Sequence, residues 1–104
     1  MGAAGSTGRG EANIKVCGAF LTVEHMRRGM RPTDACLETL RRAVHMTEAR
    51  LLTPEGRPRF GLTFYAVNKA GEFGAAAFWP TRFAVADARG ARYVDTASLY
   101  ERTR

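Results

Sequence analysis

The stretch "FGLTFYAVNKAGEFGAAAFW", residues 60–79, restricts the possible folds more than any other part of the chain. In "FGLTFYAVN" an extended backbone sends Phe60, Leu62, Phe64 and Ala66 to one side and Gly61, Thr63, Tyr65 and Val67 to the other. "KAG" supplies a hairpin turn, and "EFGAAAFW", residues 72–79, reads as a second strand ended by Pro80. A half-buried strand alternates apolar with polar residues, whereas both faces of these strands are apolar or small. Such a sheet has to be covered on both sides. Helices earlier in the chain can cover one side. Leaving the other open would expose a patch beyond the few hundred Å² usual on soluble monomers. The chain is therefore expected to be part of something larger, or to pair with another chain.

The covering helices come from the first half. Val16, Phe20, Val23 and Met26 recur at spacings of three and four, which predicts one helix from about Glu11 to Arg28 with those residues as its apolar stripe. Arg27 and Arg28 suit the negative end of its dipole, and Gly29 is a ready cap. Pro32 breaks this helix, and Thr33 or Asp34 caps a second one with Cys36, Leu40, Ala43 and Val44 on its inner face. "TPEGRPR", residues 53–59, reads as a loop. Residues 1–6 are small enough to form a strand end. "RFAVADA" and "ARYVDTA" suggest a further hairpin turning at Arg89 and Gly90. The class is α+β, in a single domain spanning residues 1–104.

Composition removes several functions. No apolar run approaches the roughly 20 residues of a membrane span. Met1 to Ala4 lack the basic start and apolar core of a signal peptide. Cys17 and Cys36 form no CxxC and join no histidine cluster, so no zinc site is expected; both read as buried free thiols on helical apolar faces, with a disulfide between them left open by their spacing. His25 and His45 sit among arginines at helix ends and read as surface residues. The net charge is +6, and only Lys15 and Lys69 of the 16 basic residues are lysines. A basic chain can bind nucleic acid, but these arginines are scattered and lack the aromatic-lined groove that single-strand binders use. A small basic nucleic-acid-binding module therefore stands only as an alternative to the main reading.

One motif remains. "GSTGRGE", residues 5–11, sets three glycines around Thr7 just before a helix. By itself this is either a frayed terminus or a place where the backbone must come close to something. Taken with the rest of the chain, it carries a resemblance. "STGRGEANIKVCGAFLTVEHMRRGMRPTDAC", followed by a long helix, a loop and "FGLTFYAVNKAGEFGAAAF", resembles the C-terminal third of the glycosylasparaginases. These belong to the N-terminal nucleophile hydrolases, with the plant-type asparaginases and isoaspartyl peptidases. The TGxGE element, the "MRRG-x-x-P-T-x-A-C" junction and the "NKAGEFGAA" hairpin occur in the family's order.

The resemblance implies an αββα sandwich of two sheets between two helix layers. This chain would supply two helices of one layer, followed by an antiparallel hairpin sheet; the rest of the same enzyme would lie upstream. It implies a precursor that cuts itself before a threonine, whose freed amine and hydroxyl serve as base and nucleophile. That threonine attacks the side-chain amide of asparagine or N-acetylglucosaminyl-asparagine, in a small molecule or a glycopeptide, and yields aspartate. No segment here matches the nucleophile, and Thr7 is not N-terminal. The motif instead assigns Thr7 and Gly8 to the oxyanion hole, and Thr7, Gly8, Arg9 and Gly10 to substrate contact. Preorganised donors at a developing oxyanion are worth roughly 3–4 kcal/mol each. A glycine lets its N–H approach without a Cβ in the way, and the helix from Glu11 would point its positive end there. No cofactor or metal is implied, nor any nucleic-acid or membrane partner. The complete enzyme is expected to be a homo-oligomer and the isolated chain to be inactive, either as part of an enzyme or as a truncated remnant.

Overall fold

The computed structural model describes residues 2–101. Its elements are β1 (Gly2–Gly8), α1 (Gly10–Val16), α2 (Gly18–Arg27), α3 (Pro32–His45), β2 (Leu62–Asn68), β3 (Phe73–Ala77), β4 (Arg82–Asp87), β5 (Gly90–Asp95) and β6 (Ala97–Ser98). The chain is α+β. Met1, counted in the expected strand end, lies outside the described residues. The main sheet has the order β1-β2-β3-β6, antiparallel at its first two junctions and parallel where β3 meets β6. It is therefore a mixed sheet that opens with a strand ahead of the helices. The short residues of β1 run the full length of β2, from Gly2 opposite Asn68 to Gly8 opposite Leu62.

The expected single helix from Glu11 to Arg28 is two helices. Cys17 adopts φ 50°, ψ 54°, a left-handed conformation that ends α1 and starts α2 in a new direction. Among the described residues three α-helices therefore stand where two were expected. The break also resets the helical phase. The inner face of α2 is Gly18, Thr22 and Met26, and Phe20, expected in the stripe, is 71% exposed. Thr22 and Thr39 share a hydroxyl hydrogen bond of 2.8 Å where α2 meets α3. Each hydroxyl also lies within hydrogen-bond distance of a carbonyl one turn back in its own helix, Gly18 O and Ala35 O, and the two hydroxyl hydrogens serve two of these three contacts. This leaves no buried hydroxyl unpaired between the helices.

The second helix starts at its proline rather than after a cap. Pro32 takes the first helical position, Arg31 is the extended N-cap, and no side chain caps α3. Neither Thr33 nor Asp34 fills the expected capping role. Ala35, Cys36, Thr39, Leu40 and Ala43 form the buried face, with Val44 only half-buried. That face packs on β2 and β3, where Leu62, Phe64, Ala76 and Phe78 complete the core. Burying a side chain such as Leu40 or Phe64 contributes about 1.5–3 kcal/mol. Arg27 and Arg28 close the end of α2 on Glu24, and Gly29 follows at φ 105° as expected of a cap.

Beyond β3 the chain leaves the sheet. β4 and β5 pair only with each other, and Phe83 of β4 meets Phe73 edge-on at 6.2 Å. The hairpin thus faces the side of the main sheet that carries no helix.

Candidate functional site

Strand alternation sorts the N-terminal motif. Ser6 belongs to the helix side of the sheet, where its Oγ accepts from Asn13 Nδ2 at 2.9 Å. Thr7 belongs to the opposite, open side together with Tyr65, and the two hydroxyls lie 2.7 Å apart. Thr7 thereby lines a groove of about 980 Å³ between the open face, with Tyr65, Val67 and Phe73, and the β4 residues Phe83 and Val85.

Gly8 has two reasons to be glycine. Its φ is 128°, and a Cβ there would meet Gly61 O at 2.5 Å. Its N–H is also free of the β2 ladder. Arg9 N donates to Gly61 O at 3.3 Å, and Leu62 O accepts from Phe78 on the β3 side. Hydrogen-bonded and non-hydrogen-bonded pairs alternate along an antiparallel ladder. Gly8, opposite Leu62, is therefore in a non-hydrogen-bonded pair, and its N–H points to the outer edge of β1. Thr7 and Gly8 are both exposed at the end of β1, the Thr7 hydroxyl on the open face toward Tyr65 and the Gly8 amide toward the outer edge.

The other two motif residues are placed differently. The Arg9 guanidinium lies 5.5 Å from the centre of the Phe60 ring, and its Nε is buried without a partner among the described residues. Arg9 lines a second cavity of about 70 Å³ with Glu11, Lys15 and Glu48, apart from the groove at Thr7. Gly10 opens α1 and has nothing within 4 Å of where a Cβ would stand, so no packing demands glycine there. The helix expected to aim its positive end at the site has only seven residues, too few for its dipole to carry the argument.

Sequence reasoning did not single out Tyr65. It lies 58 residues from Thr7, and only the pairing of β1 with β2 joins them. The thiols also differ from expectation. Cys36 is buried and free, and desolvation pushes it up to about 12 despite a hydrogen bond with the Ala76 backbone. Cys17 is free but exposed, because the left-handed turn carries it out of the helical face. His25 is half-buried and His45 exposed. Among the described residues no group of three or more His, Cys, Asp or Glu could hold a metal ion, and no helix is long and apolar enough to cross a membrane.

No protein-family model matches the chain. It is 38% identical over 93 residues to the N(4)-(Beta-N-acetylglucosaminyl)-L-asparaginase of Elizabethkingia miricola, an alignment covering 88% of this chain and 26% of that protein. The chain spans about a quarter of the length of the curated relative it matches, so the relationship to the glycosylasparaginases is partial.

Proposed function

We propose that this chain is part of an amidohydrolase that cleaves the side-chain amide of asparagine or of N-acetylglucosaminyl-asparagine. In this reading it is a single partial domain of an N-terminal nucleophile hydrolase with a sandwich fold. An upstream segment brings the nucleophilic threonine and the second sheet, and the complete enzyme is a homo-oligomer. The observation that carries the proposal is the exposed end of β1, where the Thr7 hydroxyl and the next residue's amide, free of the β2 ladder among the described residues, lie one after the other. The similarity to a named asparaginase supports the reaction type.

The chemistry follows from the amide. The threonine supplied from upstream gives its hydroxyl proton to its own α-amine as its oxygen attacks the side-chain carbonyl carbon, and the carbonyl electron pair moves onto oxygen. Thr7 Oγ1 and Gly8 N–H would each donate to that oxyanion. Collapse expels the amine, which takes a proton from the threonine's own ammonium, and water then releases aspartate from the acyl-threonine. Gly8 has no room for a Cβ against Gly61 O, and its N–H points away from β2 to the outer edge. Arg9 and Gly10 complete the motif, with Arg9 bracing Phe60 rather than reaching the groove.

The test uses the complete polypeptide encoded around these residues and an aspartyl-anilide substrate. Thr7→Ala should lower kcat by roughly a hundred-fold or more with a smaller change in KM, because an oxyanion donor acts mainly in the transition state. Thr7→Ser should retain more activity, and Gly8→Ala should impair turnover. A kcat within about two-fold of the parent for a folded Thr7→Ala protein refutes the oxyanion role, and a rise in KM alone makes Thr7 a ground-state binding residue.

A further inference from the structure

Tyr65 stands on the open face of β2 directly opposite Gly5 of β1. A Cβ at Gly5 would lie 3.0 Å from Tyr65 Cε1, so the phenol ring rests where a side chain would otherwise project. From that seat the ring runs along β1 toward its next outward residue, and Oη meets Thr7 Oγ1 at 2.7 Å. Such diagonal cross-strand neighbours are within reach of an aromatic side chain. At that distance one hydroxyl donates and the other accepts.

We propose that Tyr65 is a positioning residue for the Thr7 hydroxyl. Its phenol donates to Thr7 Oγ1 and leaves the Thr7 proton to be given to the oxyanion. The proposal rests on the reading of Thr7 as an oxyanion donor. A threonine hydroxyl without a partner is a free rotor whose proton samples several directions. A hydrogen bond accepted at Oγ1 fixes the rotor and polarises the O–H bond, which strengthens the bond it donates. The gain is larger for an oxyanion than for a ground-state amide oxygen, so it belongs to kcat more than to KM. Gly5 is part of the arrangement, since a methyl there would stand 3.0 Å from Cε1 and make the ring give by a few tenths of an ångström, loosening the phenol's hold on its partner. The fold has little need of this ring: Tyr65 is 37% exposed, while its neighbours Phe64 and Ala66 supply the core contact.

The experiment is a double-mutant cycle in the complete enzyme. Tyr65→Phe, Thr7→Ala and the pair are assayed for kcat and KM, with thermal unfolding followed in parallel. Tyr65→Phe should lower kcat about five- to ten-fold and leave KM within about two-fold and the midpoint unchanged. In the Thr7→Ala background it should have no further effect, since neighbours acting through one group are non-additive. Gly5→Ala should lower kcat in the same direction by less. A normal kcat for Tyr65→Phe beside an impaired Thr7→Ala overturns this proposal and leaves the oxyanion reading standing. Losses that multiply in the pair, or a lowered midpoint with kcat intact, also overturn it. If Thr7→Ala itself turns over normally, the reading of Thr7 falls and the role of Tyr65 falls with it.

Discussion

On the helix side of the sheet Phe64, Ala76 and Phe78 are fully buried. On the other side Tyr65, Val67 and Phe73 are 37%, 41% and 42% exposed, although each adjoins a buried or nearly buried position in its own strand or turn. The strands contribute similar side chains to both faces, so residue type does not separate them. The difference is that α2 and α3 lie on one face while only the β4–β5 hairpin approaches the other, leaving a groove between. Strand chemistry asks for two layers; the described residues lay helices on one face, and on the other they bury Ala75 and Ala77 but leave Tyr65, Val67 and Phe73 exposed. Thr7 lies on that open face.

The largest expected effect tests the closed face. Phe64→Ala should destabilise the chain by about 3–5 kcal/mol, the range for deleting a buried aromatic ring. Val67→Ala, three residues along the same strand on the open face, should stay within about 0.5 kcal/mol in dilute protein. Equilibrium denaturation measures both. Comparable losses at the two positions would mean that the open face is covered in solution, and light scattering of the isolated chain at rising concentration would then show self-association that Val67→Thr reduces.

The two thiols sharpen the same contrast. Cys17 should react with a thiol reagent in the native protein, whereas Cys36 should react at least about a hundred-fold more slowly and only through unfolding. Equal rates would mean that α3 does not stay packed on the sheet. The raised Cys36 value also sets a sign. The folded state holds that proton more tightly than the unfolded state, so its contribution is complete below the ordinary cysteine range and is lost as pH rises toward about 12.

The smallest effect lies in the hairpin, outside both faces. The Asp87 carboxylate is held below its ordinary range by hydrogen bonds, first from Arg92 and then from the Arg89 backbone. A lowered folded value means that its contribution is present above the ordinary carboxylate range and is lost as pH falls below about 4. The pair is exposed, so the change should be confined to the hairpin. Amide exchange over β4 and β5 should accelerate on acidification, and Asp87→Asn should abolish that dependence. Acceleration that reaches β2 and β3 as well would show that the hairpin and the sheet open together.

Local chemistry made much of this legible in the residues themselves. The period-two pattern of residues 60–68, the "KAG" turn, the loop at 53–59 and the closing hairpin depend on neighbouring residues and lie where the sequence placed them. The inner face of α3 was equally plain, because Cys36, Leu40 and Ala43 repeat on one side of an unbroken helix. The single helix and its stripe failed for one cause. A left-handed residue at Cys17 carries no mark in its side chain, yet it rotates everything after it, and so Phe20 and Cys17 face solvent. At the N-terminus the sequence by itself left "GSTGRGE" as either a frayed terminus or a place of close backbone approach, and it is the structure that shows why Gly8 is glycine, at φ 128° against Gly61 O. Tertiary pairing decided the rest. It set β1 against β2 in a register that frees the Gly8 amide, laid Tyr65 across Gly5 onto Thr7 and turned Arg9 toward Phe60. Those contacts join residues more than 50 positions apart, and strand register is fixed by packing across the sheet rather than by the spacing of residues along the chain.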